Sequence, residues 1–302
     1  MSAPSKAMAA VLERLASEDA GIGDPTLMSV QHARALAELT NMRWNVELPE
    51  MAEARTVIHA GMPGRWVVPK NDRGTEAILH VHGGGWALCS VSTHEGAARR
   101  IAEACACPVL TFDYRLAPEN PYPVGLSDVL SAWRARDHSR RWSIGGDSAG
   151  ANLALAAMLA LNDQQEELPA AGLLFYGVYG ADFESDSYLR NADGPGLTCA
   201  KMKRYWDWYA PQAKRGISTV APLLATDEQL AALPTLYLNA AELDPLLSDT
   251  ELLVARLHAL GRKDIYDFVP GVVHGFMQMG LALPEARNAF IRAGEVFRKI
   301  TA

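Results

Sequence analysis

The chain predicts an α/β fold: a mostly parallel central sheet flanked by helices on both faces, with a small helical cap. Three observations carry that expectation. From Ala77 onward, short apolar runs of strand length alternate with longer helical segments, the pattern of a buried parallel sheet. Gly146-Asp147-Ser148-Ala149-Gly150 lies between a short apolar run and a long one, which puts a serine on a sharp strand-to-helix turn. Three more groups able to do chemistry, His82-Gly83-Gly84-Gly85, Asp244 and His274, each follow a predicted strand, where open α/β sheets gather their ligands.

The elements follow in order. Met8, Val11, Leu12 and Leu15 keep the i, i+3, i+4, i+7 spacing of one helix face. Asp24-Pro25 reads as an N-cap followed by proline at the first helical position, opening a helix over 26–39. Residues 55–59 and 65–68 are strand candidates, separated by Gly61, Pro63 and Gly64 as a hairpin. Residues 78–81 predict a strand, and Ser92-x-x-Glu95 a capping box for a helix to about Ala104. A strand over 108–114 and a helix from 123 to about 136 come next. Residues 141–144 predict the strand before the serine. After it, 151–161 is apolar on every face except at Asn152, which marks a buried helix too short to cross a bilayer. Starting at Ser148, that helix points its dipole and free N–H groups at the serine. Strands over 172–176, 234–239 and 264–269, and helices over 246–260 and 283–300, complete the alternation, with Gly261 stopping the first of those helices. No strand is evident in 178–230, where Tyr205, Trp206, Trp208 and Tyr209 mark a helix over 200–210. The expected division is an N-terminal part of the cap over 1–50 and a catalytic domain over 51–302, with a cap insertion at about 181–230.

Composition narrows the function. A chain of 302 residues, 49% hydrophobic and 21% charged, has the composition of a globular protein with ample core. A net charge of −7 argues against nucleic acid or an anionic membrane as partner. Cys89, Cys105, Cys107 and Cys199 follow no metal or redox spacing and read as thiols in a reducing compartment. The first 24 residues lack the continuous apolar core of a signal peptide, so cytoplasmic residence with no stable membrane anchor is expected.

A serine hydroxyl becomes a nucleophile when it is held beside a base and near donors for an oxyanion. Of eight histidines, His274 is best placed as the base, in a loop just past the last predicted strand. His258 lies mid-helix and reads as a surface side chain, while His80 within a strand and His94 near a helix start read as structural. For the carboxylate that orients the base, Asp244 follows a strand and precedes Pro245. Asp249 falls in the first helical turns, where favouring the helix dipole is its ordinary role. Glu242 is a closer rival that only geometry separates from Asp244. The glycines after His82 let the backbone approach a substrate and aim N–H groups at it. No Gly-Lys-Ser/Thr follows and the G-x-G-x-x-G spacing is missing, so neither a phosphate loop nor a dinucleotide site is read there. His82 itself reads as a loop-fixing hydrogen bonder. No cofactor is expected, and no metal-ligand spacing such as H-E-x-x-H occurs.

Taken together, His82 to Gly85, Asp113-Tyr114-Arg115-Leu116-Ala117-Pro118-Glu119, Gly146 to Gly150, Asp244-Pro245-Leu246 and His274-Gly275-Phe276 are similar to motifs of one family. The chain resembles the hormone-sensitive-lipase-like group of α/β-hydrolases, the bacterial carboxylesterases, from about Ala77 to Gly280. The resemblance implies Ser148 as nucleophile, His274 as general base and then acid, and Asp244 as the orienting carboxylate. It maps the oxyanion donors to the N–H groups of Gly84, Gly85 and Ala149, and leaves open which two of the three loop glycines donate. Arg115 and Glu119 read as a charged pair bracing the loop. Ala151 stands where many members have glycine, and Thr250 where many have an acidic residue. The implied activity is hydrolysis of short-chain carboxylic esters through an acyl-enzyme, in a closed apolar pocket lined by Trp86 and by one or more of Tyr205, Trp206 and Tyr209. A lactone hydrolase, which Gly64 to Val68 also resembles, or a deacetylase on the same triad, is the alternative. A ligand-binding protein on this fold is a third reading, though such receptors lose part of the triad. The partner is then a small-molecule ester, and 264–269 as an exposed sheet edge leaves a homodimer open.

Overall fold

The computed structural model describes residues 3–302. Its sheet has eight strands: β1 (Met51–His59), β2 (Met62–Pro69), β3 (Glu76–Val81), β4 (Val109–Phe112), β5 (Arg141–Asp147), β6 (Gly172–Phe175), β7 (Leu236–Leu243) and β8 (Ile265–Val273). Their order is β1-β2-β4-β3-β5-β6-β7-β8. The first two strands form an antiparallel hairpin that joins β4 antiparallel, and every other pairing is parallel. The helices are α1 (Lys6–Glu18), α2 (Val30–Asn41), α3 (Glu95–Cys105), α4 (Val124–Arg134), α5 (Ala149–Asp163), α6 (Asp186–Arg190), α7 (Cys199–Tyr209), α8 (Asp227–Ala231), α9 (Leu247–Ala259) and α10 (Pro284–Ile300). The architecture is the expected α/β one.

Strand side chains alternate between two apolar layers, as the two-residue period of a pleated strand requires. Ala77, Leu79 and Val81 of β3, with Leu236 and Leu238 of β7, join the layer under α4, α5 and α9. Ile78 and Tyr237 face the other way, into the layer under α3 and α10. Met8 and Val11 of α1 join that second layer beside Val272, and Ser5 N–H donates to Gly271 O at 2.8 Å. Among the described residues, no helix is long and apolar enough to cross a membrane.

Several boundaries differ from the expectation for local reasons. Asp24 caps only the short turn Pro25–Leu27, because its carboxylate takes both N–H and hydroxyl of Thr26. The chain then runs extended at Met28, and α2 starts afresh from a Ser29 cap. The hairpin turn is Ala60-Gly61, both at positive φ, which matches a two-residue turn to the strand twist; Pro63 and Gly64 belong to β2. No capping box forms at Ser92, because the Glu95 carboxylate is taken by Arg65 and Arg99, while Ser90 and Thr93 hold the turn before α3. β7 and β8 run further than predicted, to Leu243 and Val273.

Helix α5 is buried over 149–161, and the one polar side chain within that stretch, Asn152, is fully used. Asn152 accepts from Trp86 Nε1 at 3.3 Å and donates to the carbonyls of Val178 and Val220, both at 3.0 Å. One amide thereby ties three loops to the central helix. Asn152→Leu leaves three buried polar groups without partners and should cost about 3 kcal/mol. The check is the thermal unfolding midpoint, expected to fall by several degrees.

Candidate active site

Four segments with chemical groups each begin at the residue after a parallel strand: His82 after β3, Ser148 after β5, Asp244 after β7 and His274 after β8. The sheet thus delivers them to one rim, although 126 residues separate Ser148 from His274.

Ser148 turns between β5 and α5 at φ 55°, ψ −121°, a left-handed conformation poor for any residue with a Cβ. The turn is closed by its flanking glycines. A Cβ on Gly146 would collide with the backbone of Gly150, and one on Gly150 with the carbonyl oxygen of Val81. Ser148 Oγ lies 2.9 Å from His274 Nε2. His274 Nδ1 lies 2.7 Å from Asp244 Oδ2, and the Tyr176 ring meets the imidazole edge-on at 5.1 Å. The buried Asp244 is itself held, with Oδ1 accepting from Leu246 N–H at 2.9 Å. The structure therefore brings Ser148, His274 and Asp244 into one hydrogen-bonded line. Glu242 points elsewhere and accepts from Gly271 N–H at 2.7 Å.

The glycine loop is fixed from several sides. Gly83 N–H donates to Asp147 Oδ1 at 3.1 Å and is thereby used. The N–H groups of Gly84, Gly85 and Ala149 make no hydrogen bond within the described residues. His82 Nδ1 contacts Gly83 O at 2.8 Å, its ring stacks on Tyr114 at 4.5 Å, and Tyr114 Oη donates to His82 O. A Cβ on Gly85 would come within 2.5 Å of the Tyr205 ring, so α7 rests directly on the loop. Arg34 of α2 donates to Ala87 O and Ala117 O, each at 2.9 Å, and pairs with Glu119. Arg115 pairs with Asp128 instead. The expected Arg115–Glu119 pair is thus two separate braces, one of them reaching the N-terminal helices.

Asp147 is buried behind the serine, with His80 Nε2 and His94 Nε2 each 3.4 Å from its carboxylate. Burial raises its carboxyl, but the charge of His94 and the contacts of His80 and His94 outweigh that and hold it well below the usual carboxylate range. Burial, and the neighbouring His94, push the His82 imidazole down to about 3. Asp249 does more than favour a helix dipole: its Oδ2 accepts from the N–H groups of Tyr179 and Gly180 at 2.7 and 2.8 Å. Its burial outweighs those bonds and pushes the carboxyl up to about 7. Sequence reasoning passed over Asp147 and Arg34. The signal for Asp147 was its place beside the serine; Arg34, on an exposed-looking helix, carried none.

A cavity of about 170 Å³ opens over Ser148 and His274, with Tyr176, Val178, Leu197, Met202 and Tyr205 in its wall. Trp86 and Tyr205 line it as expected of the aromatics. Trp206 and Tyr209 instead pack on Trp86, at 4.9 and 4.3 Å between ring centroids. Among the described residues, no group of three His, Cys, Asp or Glu side chains is arranged to hold a metal ion.

A family model described as the alpha/beta hydrolase fold matches residues 78–278. The chain is 32% identical over 271 residues to carboxylesterase NlhH of Mycobacterium tuberculosis, covering 84% of this chain and 85% of that protein. A thermostable esterase from Pseudomonas putida superposes with a TM-score of 0.90 at 27% identity, over 99% of this chain and 98% of that one. An esterase from the bacterial hormone-sensitive lipase family superposes with a TM-score of 0.88 at 29% identity, over 99% and 100%.

Two of these displaced titrations, those of Asp249 and His82, oppose each other. Asp249 has a raised carboxyl, so its contribution to stability is complete below its ordinary value of about 3.9 and is lost as pH rises through about 7. His82 has a lowered imidazole, so its contribution is complete above about 6.5 and is lost as pH falls toward about 3. Asp249→Asn removes the first and leaves the second. The melting temperature of the variant relative to the parent should therefore climb steadily from about pH 4 to about pH 7. A difference that stays flat across that window refutes the assignment.

Proposed function

The chain belongs to the hormone-sensitive-lipase-like family of α/β-hydrolases and hydrolyses carboxylic esters; we propose that it does so as a serine esterase acting on short-chain substrates. The observation that carries this reading is the line from Ser148 Oγ through His274 to Asp244, with spacings of 2.9 and 2.7 Å. Those are hydrogen-bond distances, within which a base can take the hydroxyl proton as the oxygen attacks.

In this mechanism Ser148 attacks the ester carbonyl while His274 Nε2 accepts its proton. Asp244 keeps the imidazole oriented and stabilises its charged form without taking the proton. The tetrahedral oxyanion is met by N–H groups of Gly84, Gly85 and Ala149, supported by the use of Gly83 N–H on Asp147. His274 returns the proton to the departing alcohol, and water then hydrolyses the acyl-enzyme by the same steps. The small volume over Ser148 supports a short acyl group.

The same reading covers the organisation. We take residues 1–50 and the insertion at about 181–230 as a cap on a catalytic domain over 51–302, supported by Tyr205 and Arg34 bearing on the glycine loop. β8 is an edge strand carrying an exposed Phe268, which supports pairing with a second copy. Cys89, Cys105, Cys107 and Cys199 are free thiols, in keeping with a reducing cytoplasm.

Ser148→Ala should lower kcat on p-nitrophenyl acetate by about 10⁴-fold or more, and Asp244→Ala by about 10⁴-fold. Glu242→Ala should stay within about tenfold of the parent. A Ser148→Ala enzyme with the parental rate would overturn the mechanism. A large loss in Glu242→Ala with none in Asp244→Ala would reassign the acid alone. Decanoate turned over as well as acetate, or a lactone preferred to both, would reject the short-chain ester as substrate class.

A further inference from the structure

A second cavity, of about 520 Å³, lies across the glycine loop between α2, the segment 19–25 and α7. It shares four wall residues with the cavity over Ser148: Asn41, Gly84, Cys89 and Tyr205. Three of the four have ordinary reasons to be there. Gly84 belongs to the loop and has no side chain, the Tyr205 ring rests on Gly85, and Asn41 Nδ2 donates to Ala37 O at 2.8 Å.

Cys89 is different. It sits at φ 68°, in the left-handed region where glycine is comfortable and a Cβ is not. Of the two shared wall positions held at positive φ, Gly84 at 109° and Cys89 at 68°, only Cys89 carries a side chain. Such strain persists only where the surroundings impose it, and it clusters where it serves a site. The Cβ of Cys89 also lies against the loop, within 2.9 Å of where a Cβ on Gly84 would stand. The thiol has no nucleophilic work to do there: burial pushes it up to about 12, against the hydroxyl of Thr93 beside it, so it stays neutral.

We propose that Cys89 is a specificity-determining residue whose side chain partitions the two cavities and so sets the longest acyl group the enzyme accepts. The side of the substrate follows from His274. The departing alcohol must meet His274 Nε2 to receive its proton, and His274 lines the smaller cavity but not the larger. The alcohol therefore leaves on the histidine side, and the acyl group is the part that points toward the partition. With the side chain in place, short acyl chains fit over Ser148. Without it, the chain extends into the larger space, and medium-length acyl esters become substrates.

The inference rests on the serine-esterase reading, and its test keeps the two apart. kcat/KM is measured on p-nitrophenyl acetate, butyrate, octanoate and decanoate for the parent, Cys89→Gly, Cys89→Ala and Cys89→Ser, with Ser148→Ala as the control for the reading itself. The octanoate-to-acetate ratio should rise about tenfold in Cys89→Gly, rise less in Cys89→Ala, and rise least in Cys89→Ser, which keeps a smaller γ atom in place of the sulfur. A ratio within about twofold of the parent in both Gly and Ala variants overturns the partition. A rise in Cys89→Ser as large as that in Cys89→Gly also overturns it, because loss of the thiol rather than of bulk would then be responsible. Should the smaller variants fail to fold, Cys89→Leu must lower the butyrate-to-acetate ratio, and no change there counts against the proposal. Activity that survives Ser148→Ala would sink the esterase mechanism instead, and would be seen in the control alone.

Discussion

Helix α5 begins so close to the end of β3 that no Cβ fits at Gly150 against the carbonyl oxygens of Val81 and His82. This closeness is the constraint on which the site depends. It puts the serine turn beside the glycine loop, with Gly83 N–H within reach of Asp147, the residue before Ser148. The loop and the serine are therefore positioned against each other by backbone contact rather than by long side chains. Contacts of that kind lose little to rotamer freedom, which is what a group of preorganised donors requires.

Around that junction, polar side chains beneath the loops hold their irregular backbone. Asn152 serves Trp86, Val178 and Val220 together. Asp249 holds the backbone of Tyr179 and Gly180, just beyond Tyr176, whose ring lies against His274. Asp113 accepts from Val91 N–H at 2.7 Å and so closes the far end of the glycine loop. Each is a buried or half-buried side chain satisfying backbone groups in irregular segments, where no helix or ladder partner exists. The loops of the site borrow hydrogen bonds from the elements beneath them.

Much of this was legible in the sequence, and for a consistent reason. Parallel strands buried on both faces are short apolar runs, so the alternation is visible, and the carboxyl ends of those runs mark where side chains emerge. Ser148, Asp244 and His274 were found that way. What was not legible depends on competition between partners. Nothing local says that Glu95 will choose Arg65 and Arg99 over the backbone at Ser92. Nor does it say that Asp24 will spend its carboxylate on Thr26 and end the turn. Asp249 looked like an ordinary helix-start acid, and only the path of residues 178–180 gives it a task. Arg34 was invisible for the same reason, since its acceptors at Ala87 and Ala117 are remote in the chain.

Gly271 is gripped on both sides: its N–H by Glu242 on β7, its carbonyl by Ser5 just ahead of α1. A Cβ on Gly271 would press on Ser5 at 2.7 Å from its nitrogen, so the clasp closes tightly. His274 follows three residues later, just past the end of the same strand. The imidazole is thus anchored through the earliest described helix as well as through the sheet. During synthesis the serine turn emerges well before β8, and the clasp at Ser5 has nothing to hold until β8 is made. On the proposed mechanism the nascent chain therefore carries a disarmed hydroxyl for more than a hundred residues, and competence arrives when early and late segments are joined.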